Sequence, residues 1–393
     1  MAPFSFLRRR PWTSAICTLT VAAVPITANA SKNDNDARPD ALCSTSTPFT
    51  SGTEGYHTFR IPALVRSGKT LIAFAEGRRT SAEDHGDIEV VSKRSTNGGC
   101  SWGPLSRVSD NGRNVAGNPA PVVDPASGRI ILLTVRQPAA VTQPQIEAGT
   151  VASAASRRVY VQRSGDAGAT WSRPTEITSA VKRPEWRWYA TGPGHGIALT
   201  RQRPGRLVVA ANHTTAKGSG AHLLYSDNHG GTWHIGAVDH HNGKKLRPDE
   251  NAVAELPDGR LYVNARDQGG TDPATRLDTY SADGGTSFSA PYRPRPDLVA
   301  PVVKGALLHS GTTNCPALLF SAPDHPKERR HLTLRRSSNS GATWVSDTVL
   351  AAGPAAYSDL AMTGAKTVAA LYETGRKKAT ERIDLRRVPL TCR

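Results

Sequence analysis

The sequence predicts an all-β fold, a six-bladed β-propeller of four-stranded antiparallel blades. Three observations predict it. An eight-residue motif recurs five times, its copies starting 69, 62, 55 and 56 residues apart. Short β-type runs lie between the copies, among them Thr70 to Ala75, Arg129 to Val135, Arg206 to Ala211, Arg260 to Ala265 and Thr367 to Tyr372. The 393 residues include 35 glycines and 28 prolines without a short period, a composition that asks for many turns.

From the beginning of the chain, residues 1–30 read as a signal peptide. Arg8, Arg9 and Arg10 form a positive start, Ser14 to Ile26 is uncharged and mostly apolar, and Ala28-Asn29-Ala30 is a cleavage signature. The apolar run is shorter than the roughly 20 residues that span a bilayer. Export to the extracellular space follows as an expectation. Residues 31–42 read as a polar, disordered leader, and 43–393 as the propeller. Cleavage would lower the net charge from +16 to +13. A positive balance attracts acidic partners, an anionic sugar or nucleic acid. No basic run or recognition-helix pattern supports nucleic acid.

Cys17 lies in the signal, which leaves Cys43, Cys100, Cys315 and Cys392. An even number in an exported chain permits disulfides. A bridge from Cys43 to Cys392 would clamp the two ends together. No Cys or His spacing suits a metal.

The repeat itself reads S-x-[DN]-x-G-x-[ST]-[WF]. Its copies begin at Ser95, Ser164, Ser226, Ser281 and Ser337 and end at Trp102, Trp171, Trp233, Phe288 and Trp344. The chemistry is that of a hairpin turn. Asp or Asn folds back onto the local backbone, Gly supplies a positive φ, and the aromatic opens the next strand and packs inward. The first, third and last copies carry Asn97, Asn228 and Asn339 in place of Asp. A period of this size fits one blade with its loops. The sixth blade carries no box. The boxes specify a fold and not a reaction.

Upstream of the first box stands Tyr56-His57-Thr58-Phe59-Arg60-Ile61-Pro62. Phe-Arg-Ile-Pro followed by several such boxes resembles the bacterial exo-sialidases, over about residues 45 to 390. The resemblance implies hydrolysis of terminal sialic acid from glycans, with retention of configuration and a tyrosine-linked intermediate. It implies three arginines on the sugar carboxylate: Arg60, Arg266 and Arg329, with Arg330 as a rival to the last. Arginine offers a permanently charged planar fork for a carboxylate. The loop after Glu76-Gly77-Arg78 holds the acid/base aspartate. Asp84 fits best, Glu83 and Asp87 being alternatives, and its pKa is expected to rise in a desolvated site. Arg78 matches a further arginine beside the sugar.

Tyr357 is identified as the nucleophile. The anomeric carbon of sialic acid bears its own carboxylate, which repels a second anion, whereas a neutral phenol needs only a base. Glu250 is the candidate base, with Asp249 and Glu255 as rivals. Glu373 is expected to orient Arg60 through an ion pair at the substrate-binding site. Asn118, Trp186, Trp188, Tyr189 and Gly192 to Gly196 resemble the wall around the sugar's N-acetyl and glycerol groups. Sialylated glycans on glycoproteins, glycolipids or oligosaccharides are the implied partners of a monomer that needs no metal, cofactor, nucleic acid or membrane anchor. Two alternatives remain at this point: transfer of the sialyl group to another sugar, and a non-catalytic glycan-binding propeller, which has no use for Tyr357 beside Glu250.

Overall fold

The computed structural model describes residues 43–240, 246–270, 275–311 and 316–391. The expected signal peptide and leader, Cys17, Cys315 and Cys392 lie outside the described residues. The fold is all-β, with short helices at Gln143–Ala148 and Thr178–Val181.

Strand pairing is antiparallel almost throughout and follows chain order. Thr58–Ser67, Thr70–Arg78, Ile88–Ser95 and Ser106–Ser109 form the first four-stranded run. Val115–Val123, Ile130–Gln137, Arg158–Ser164 and Thr175–Glu176 form the next. Tyr189–Thr191, Leu207–Thr215, Gly218–Ser226 and His234–His240 follow, then Pro248–Glu255, Leu261–Asp267, Thr275–Ser281 and Arg293–Val299. The 20-residue strand Val345–Gly364 serves two runs. Its first part pairs with Arg330–Ser337, behind which lie Leu318–Pro323 and Ala306–His309; its second part pairs with Thr367–Thr374. Arg382–Pro389 comes next, and the outermost place is taken by Thr45–Thr50 from the other end of the sequence.

Each predicted β-type run is the second strand of its group. These strands are buried on both faces, as Thr70–Arg78 is at every position, which explains their nearly continuous apolar character. The core is split into clusters that each join neighbouring runs. Ile72 and Phe74 meet Ile130 and Leu132; Leu133 meets Leu207; Val208 meets Leu261; Tyr262 meets Phe320; Leu332 meets Val368; and Phe59 meets Leu371. The packing order therefore returns from the last run to the first.

All five boxes make the same hydrogen bonds. The serine hydroxyl donates to the Asp or Asn two residues on, at 2.8–3.0 Å, and accepts the glycine N–H four residues on, also at 2.8–3.0 Å. The Asp or Asn oxygen then takes the N–H four residues further along. The glycine sits at φ between 78° and 92° in every copy, a conformation that a Cβ disfavours. Each box links the third strand of its run to the fourth.

One expectation is overturned. Cys43 is bonded to Cys100 and not to Cys392. The bridge ties the entry of Thr45–Thr50 to the first box, where the Cys43 N–H also points at the Cys100 sulfur.

Candidate active site

Four of the strands that open a run are broken by a register shift. The shifts lie between Arg60 and Ala63, Gly117 and Ala120, Pro248 and Asn251, and Ala355 and Ser358. Arg60, Asn118, Glu250 and Tyr357 sit at these four places. An extra residue bends a strand and re-aims its side chains, so the bulges turn residues of separate runs towards one space. Ile61 and Asn118 hold φ of 57° and 51°, which costs about 1–3 kcal/mol each for residues with a Cβ. Buried carboxylates stabilise both. Glu373 accepts the Ile61 N–H at 2.9 Å and the Tyr357 N–H at 3.2 Å, and Glu76 accepts the Asn118 N–H at 2.8 Å.

The same two carboxylates hold arginines. Glu373, with a side chain 0 % exposed, receives Arg60 Nε at 3.1 Å. Glu76 receives Arg78 Nη2 at 2.6 Å. A buried arginine needs such a partner. Glu373 is thus placed behind Arg60 as a support, and it does not line the pocket.

The pocket has a volume of about 220 Å³ and is lined by Arg60, Arg78, Asp84, Asn118, Glu250, Arg266, Arg329 and Tyr357, among others. The Tyr357 hydroxyl donates to Glu250, its oxygen lying 2.9 and 3.0 Å from the two carboxylate oxygens, and accepts from Arg266 Nη1 at 3.1 Å. Arg266 is also 2.8 Å from Glu250 and 2.9 Å from Asp249. The guanidinium carbons of Arg60 and Arg329 lie 5.2 and 5.6 Å from the Tyr357 ring centre. Arg329 donates to the Val302 carbonyl at 2.8 Å and has no carboxylate partner among the described residues.

Burial, and then the charge of Glu250, push the Tyr357 phenol above its usual range, against the pull of Arg266, Arg60 and Arg329. Burial also raises Glu250; Arg266 opposes this and Asp249 adds to it. The two thus meet through a hydrogen bond in a buried, cation-rimmed place, where a base can draw the proton off the phenol as the oxygen attacks.

Asp84 is the only carboxylate of its loop on the pocket wall among the described residues; Glu83 and Asp87 are not. It receives Arg78 Nη2 at 2.6 Å, lies 3.8 Å from Arg60, and keeps a side chain 61 % exposed. The expected rise in its pKa is not found. Partial desolvation raises it, but Arg78 and Arg60 together outweigh that and hold the carboxyl below its usual range.

The rivals fall away by position. Asp249 reaches the pocket but is spent on Arg266. Glu255 accepts the Thr200 and Arg201 N–H groups in a turn outside it. Arg330 is exposed and pairs with Glu328 at 2.6 Å.

Tyr189 is misplaced by the sequence reading. Its ring is fully buried in the core and its hydroxyl meets His222 at 3.1 Å. Trp186 stacks on His213, and His195 binds Asp359. Of that stretch Trp188 and Ala190 reach the pocket. Two groups were missed. Arg157 is buried, donates to Asn118 and to Gln137 at 2.6 Å, and lies 3.5 Å from the Trp188 ring centre; its pKa falls to about 10, mainly through burial. Glu76 was visible in the Glu-Gly-Arg triplet, but its grip on two neighbours was not. Among the described residues no cluster of His, Cys, Asp or Glu could hold a metal ion.

Residues 69–369 match the family described as a BNR repeat-like domain. An exo-alpha-sialidase of Aspergillus fumigatus is 31% identical over 369 residues, covering 87% of this chain and 83% of its own. The chain belongs to the BNR-repeat sialidase family, whose members are glycoside hydrolases. A sialidase of Micromonospora viridifaciens is 32% identical over 82% of this chain, which spans 51% of that longer protein. The solved structure titled Hadza microbial sialidase Hz136 superposes with a TM-score of 0.77 at 27% identity, over 88% of this chain and 68% of that one. In this sialidase Arg60, Asn118, Glu250 and Tyr357 stand on bulged strands, and no pocket residue belongs to a box.

Proposed function

We propose that the protein is a secreted exo-α-sialidase that retains configuration through a sialyl-enzyme on Tyr357. One observation carries the reading: the Tyr357 hydroxyl touches both oxygens of Glu250 while three arginines surround its ring. Arg60, Arg266 and Arg329 take the sugar carboxylate. Glu250 removes the phenolic proton as Tyr357 attacks the anomeric carbon. Asp84, protonated once the sugar carboxylate offsets the nearby arginines, gives its proton to the leaving oxygen. It then takes a proton from the water that opens the sialyl–tyrosine bond, while Glu250 returns its proton to the departing Tyr357 oxygen. Asn118, Arg157 and Trp188 form the wall beside Arg78. A six-bladed propeller accounts for the successive four-stranded runs and for the packing that returns from the last run to the first. The Cys43–Cys100 bridge suits an oxidising, extracellular setting.

The test is release of a fluorescent leaving group from its α-sialoside, with the anomer of the first product followed by NMR. Tyr357→Phe is expected to lower kcat on the order of 10³-fold or more, and Asp84→Ala to spare substrates with good leaving groups. An initial β-anomer, or unimpaired Tyr357→Phe, overturns the mechanism. Free sialic acid as the product separates hydrolysis from transfer to another sugar.

A further inference from the structure

The rim beside Tyr357 carries charge that the pocket does not use. The segment 353–355, leading into Tyr357, has a basic stretch on each side. On one side Arg330 pairs with Pro354, and the Ala355 N–H donates to the Arg329 carbonyl at 2.9 Å. That contact brings up Lys327, Arg329 and Arg330. On the other side Ala355 pairs with Thr374, whose hydroxyl donates to the Pro354 carbonyl at 2.9 Å. The chain then turns through Arg376, Lys377 and Lys378. All six side chains are exposed. Ala379, in the same turn, packs against Ile61, Val303, Ala356 and Tyr357.

The turn is held by an acid that leaves its cations unpaired. The Glu381 carboxylate accepts the backbone N–H groups of Arg376, Lys377 and Lys378 at 2.8, 2.8 and 3.0 Å. These bonds bring its pKa down to about 2. Among the described residues the three side chains have no ion-pair partner, whereas Arg382, just beyond the turn, is paired with Asp384 at 2.9 Å. Fixed like charges at the mouth of an anion-binding pocket repel one another until an anion relieves them.

We propose that Arg376, Lys377 and Lys378, with Lys327 across the segment 353–355, form a rim subsite for a second anionic group on the same glycan. That group is a carboxylate or a sulfate ester on the sugars next to the terminal sialic acid. The proposal rests on the sialidase reading and adds a substrate class to it. A glycan fits this rim better than a lipid surface. The large exposed hydrophobic side chains among the described residues are Val345 and Val349, neither of them in the turn, so the rim has no apolar group to insert.

The experiment compares kcat/KM for sialyl-lactose, disialyl-lactose and a sialyl-lactose sulfated on galactose, at about 20 and about 300 mM salt, since screening weakens exposed pairs. The unmodified protein is expected to favour at least one doubly charged substrate by about fivefold at low salt and to lose that preference at high salt. Preference for the disialyl or for the sulfated compound tells the two sources of charge apart. The triple variant Arg376→Gln, Lys377→Gln, Lys378→Gln keeps the Glu381 backbone bonds. It is expected to abolish the preference while turnover of an aryl sialoside with an uncharged leaving group stays unchanged. Equal kcat/KM for all three compounds, or a preference that survives the triple variant, overturns the proposal. Binding of the unmodified protein, but not the variant, to phosphatidylserine vesicles with no glycan preference overturns it in favour of a membrane surface. Failure to turn over the aryl sialoside defeats the sialidase reading separately. Salt-sensitive binding of oligosialic acid, measured by anisotropy and lost in the triple variant, then still supports the rim; its absence sinks it.

Discussion

The boxes and the bulged strands solve opposite problems. A box is a closed local circuit: one serine, one Asp or Asn and one glycine satisfy each other within five residues, and the circuit repeats five times. A bulged strand satisfies nothing locally. The Arg60 bulge depends on Glu373, 313 residues away in sequence, and the Tyr357 hydroxyl on Glu250, 107 residues away. Repetition therefore marks what builds the frame, and departure from regular pairing marks what the frame is for.

This contrast can be broken most severely at Glu373. Glu373→Gln takes from Arg60 its buried charge partner, leaving only the exposed Asp84 at 3.8 Å, and weakens the hold on two bulges, at an expected cost of about 3–5 kcal/mol in stability. Urea denaturation measures that loss, and a steep fall in kcat/KM should accompany it. An unchanged midpoint would mean that the bulges stand without their bridge.

A middle-sized effect is expected at Asp359, which binds the His195 ring at 2.8 Å, the Leu64 N–H at 2.8 Å and Lys304 at 3.5 Å. Although burial raises its pKa, His195 and Lys304 together with these hydrogen bonds lower it to about 2. A carboxyl depressed in the folded state stabilises the fold fully above its unfolded value of roughly 3.9. The contribution is lost as pH falls from there towards about 2. Thermal scans between those limits should show Tm of the unmodified protein falling steeply, and Asp359→Asn should start lower and fall less.

The smallest effect belongs to the frame. Ser164→Ala removes the hydroxyl that holds one box and is expected to cost about 1–3 kcal/mol, with kcat/KM untouched. Ser281→Ala in another box should add to it within about 0.5 kcal/mol, as distant independent sites do. Strong coupling between the two would show that the boxes are not self-contained.

The same distinction governs what could be read in advance. The boxes, the second strands, Arg60, Tyr357 and Glu250 carry their signals in short stretches of neighbouring residues. Arg157 carries none, because its place is made by Gln137, Asn118 and Trp188 from other segments. Tyr189 departs from the expectation for a reason of strand geometry. Successive side chains point to opposite faces, so with Trp188 and Ala190 on the pocket wall, Tyr189 must enter the core. The direction of the Asp84 shift depends on two guanidinium groups at particular distances, which residue types alone do not give. The expectation of a Cys43–Cys392 bridge rests on the ends meeting. The ends do meet, but through backbone pairing of Thr45–Thr50 with Arg382–Pro389.

That last pairing sets a timetable for biosynthesis. The strand at residues 45–50 leaves the ribosome early, yet its hydrogen-bonding edge has no partner until residues 382–389 are made. Until then an unpaired edge is open to wrong neighbours, the usual hazard of a partly synthesised β-protein. Its early tether through Cys43 and Cys100 confines that edge near the first four strands while the rest of the chain arrives.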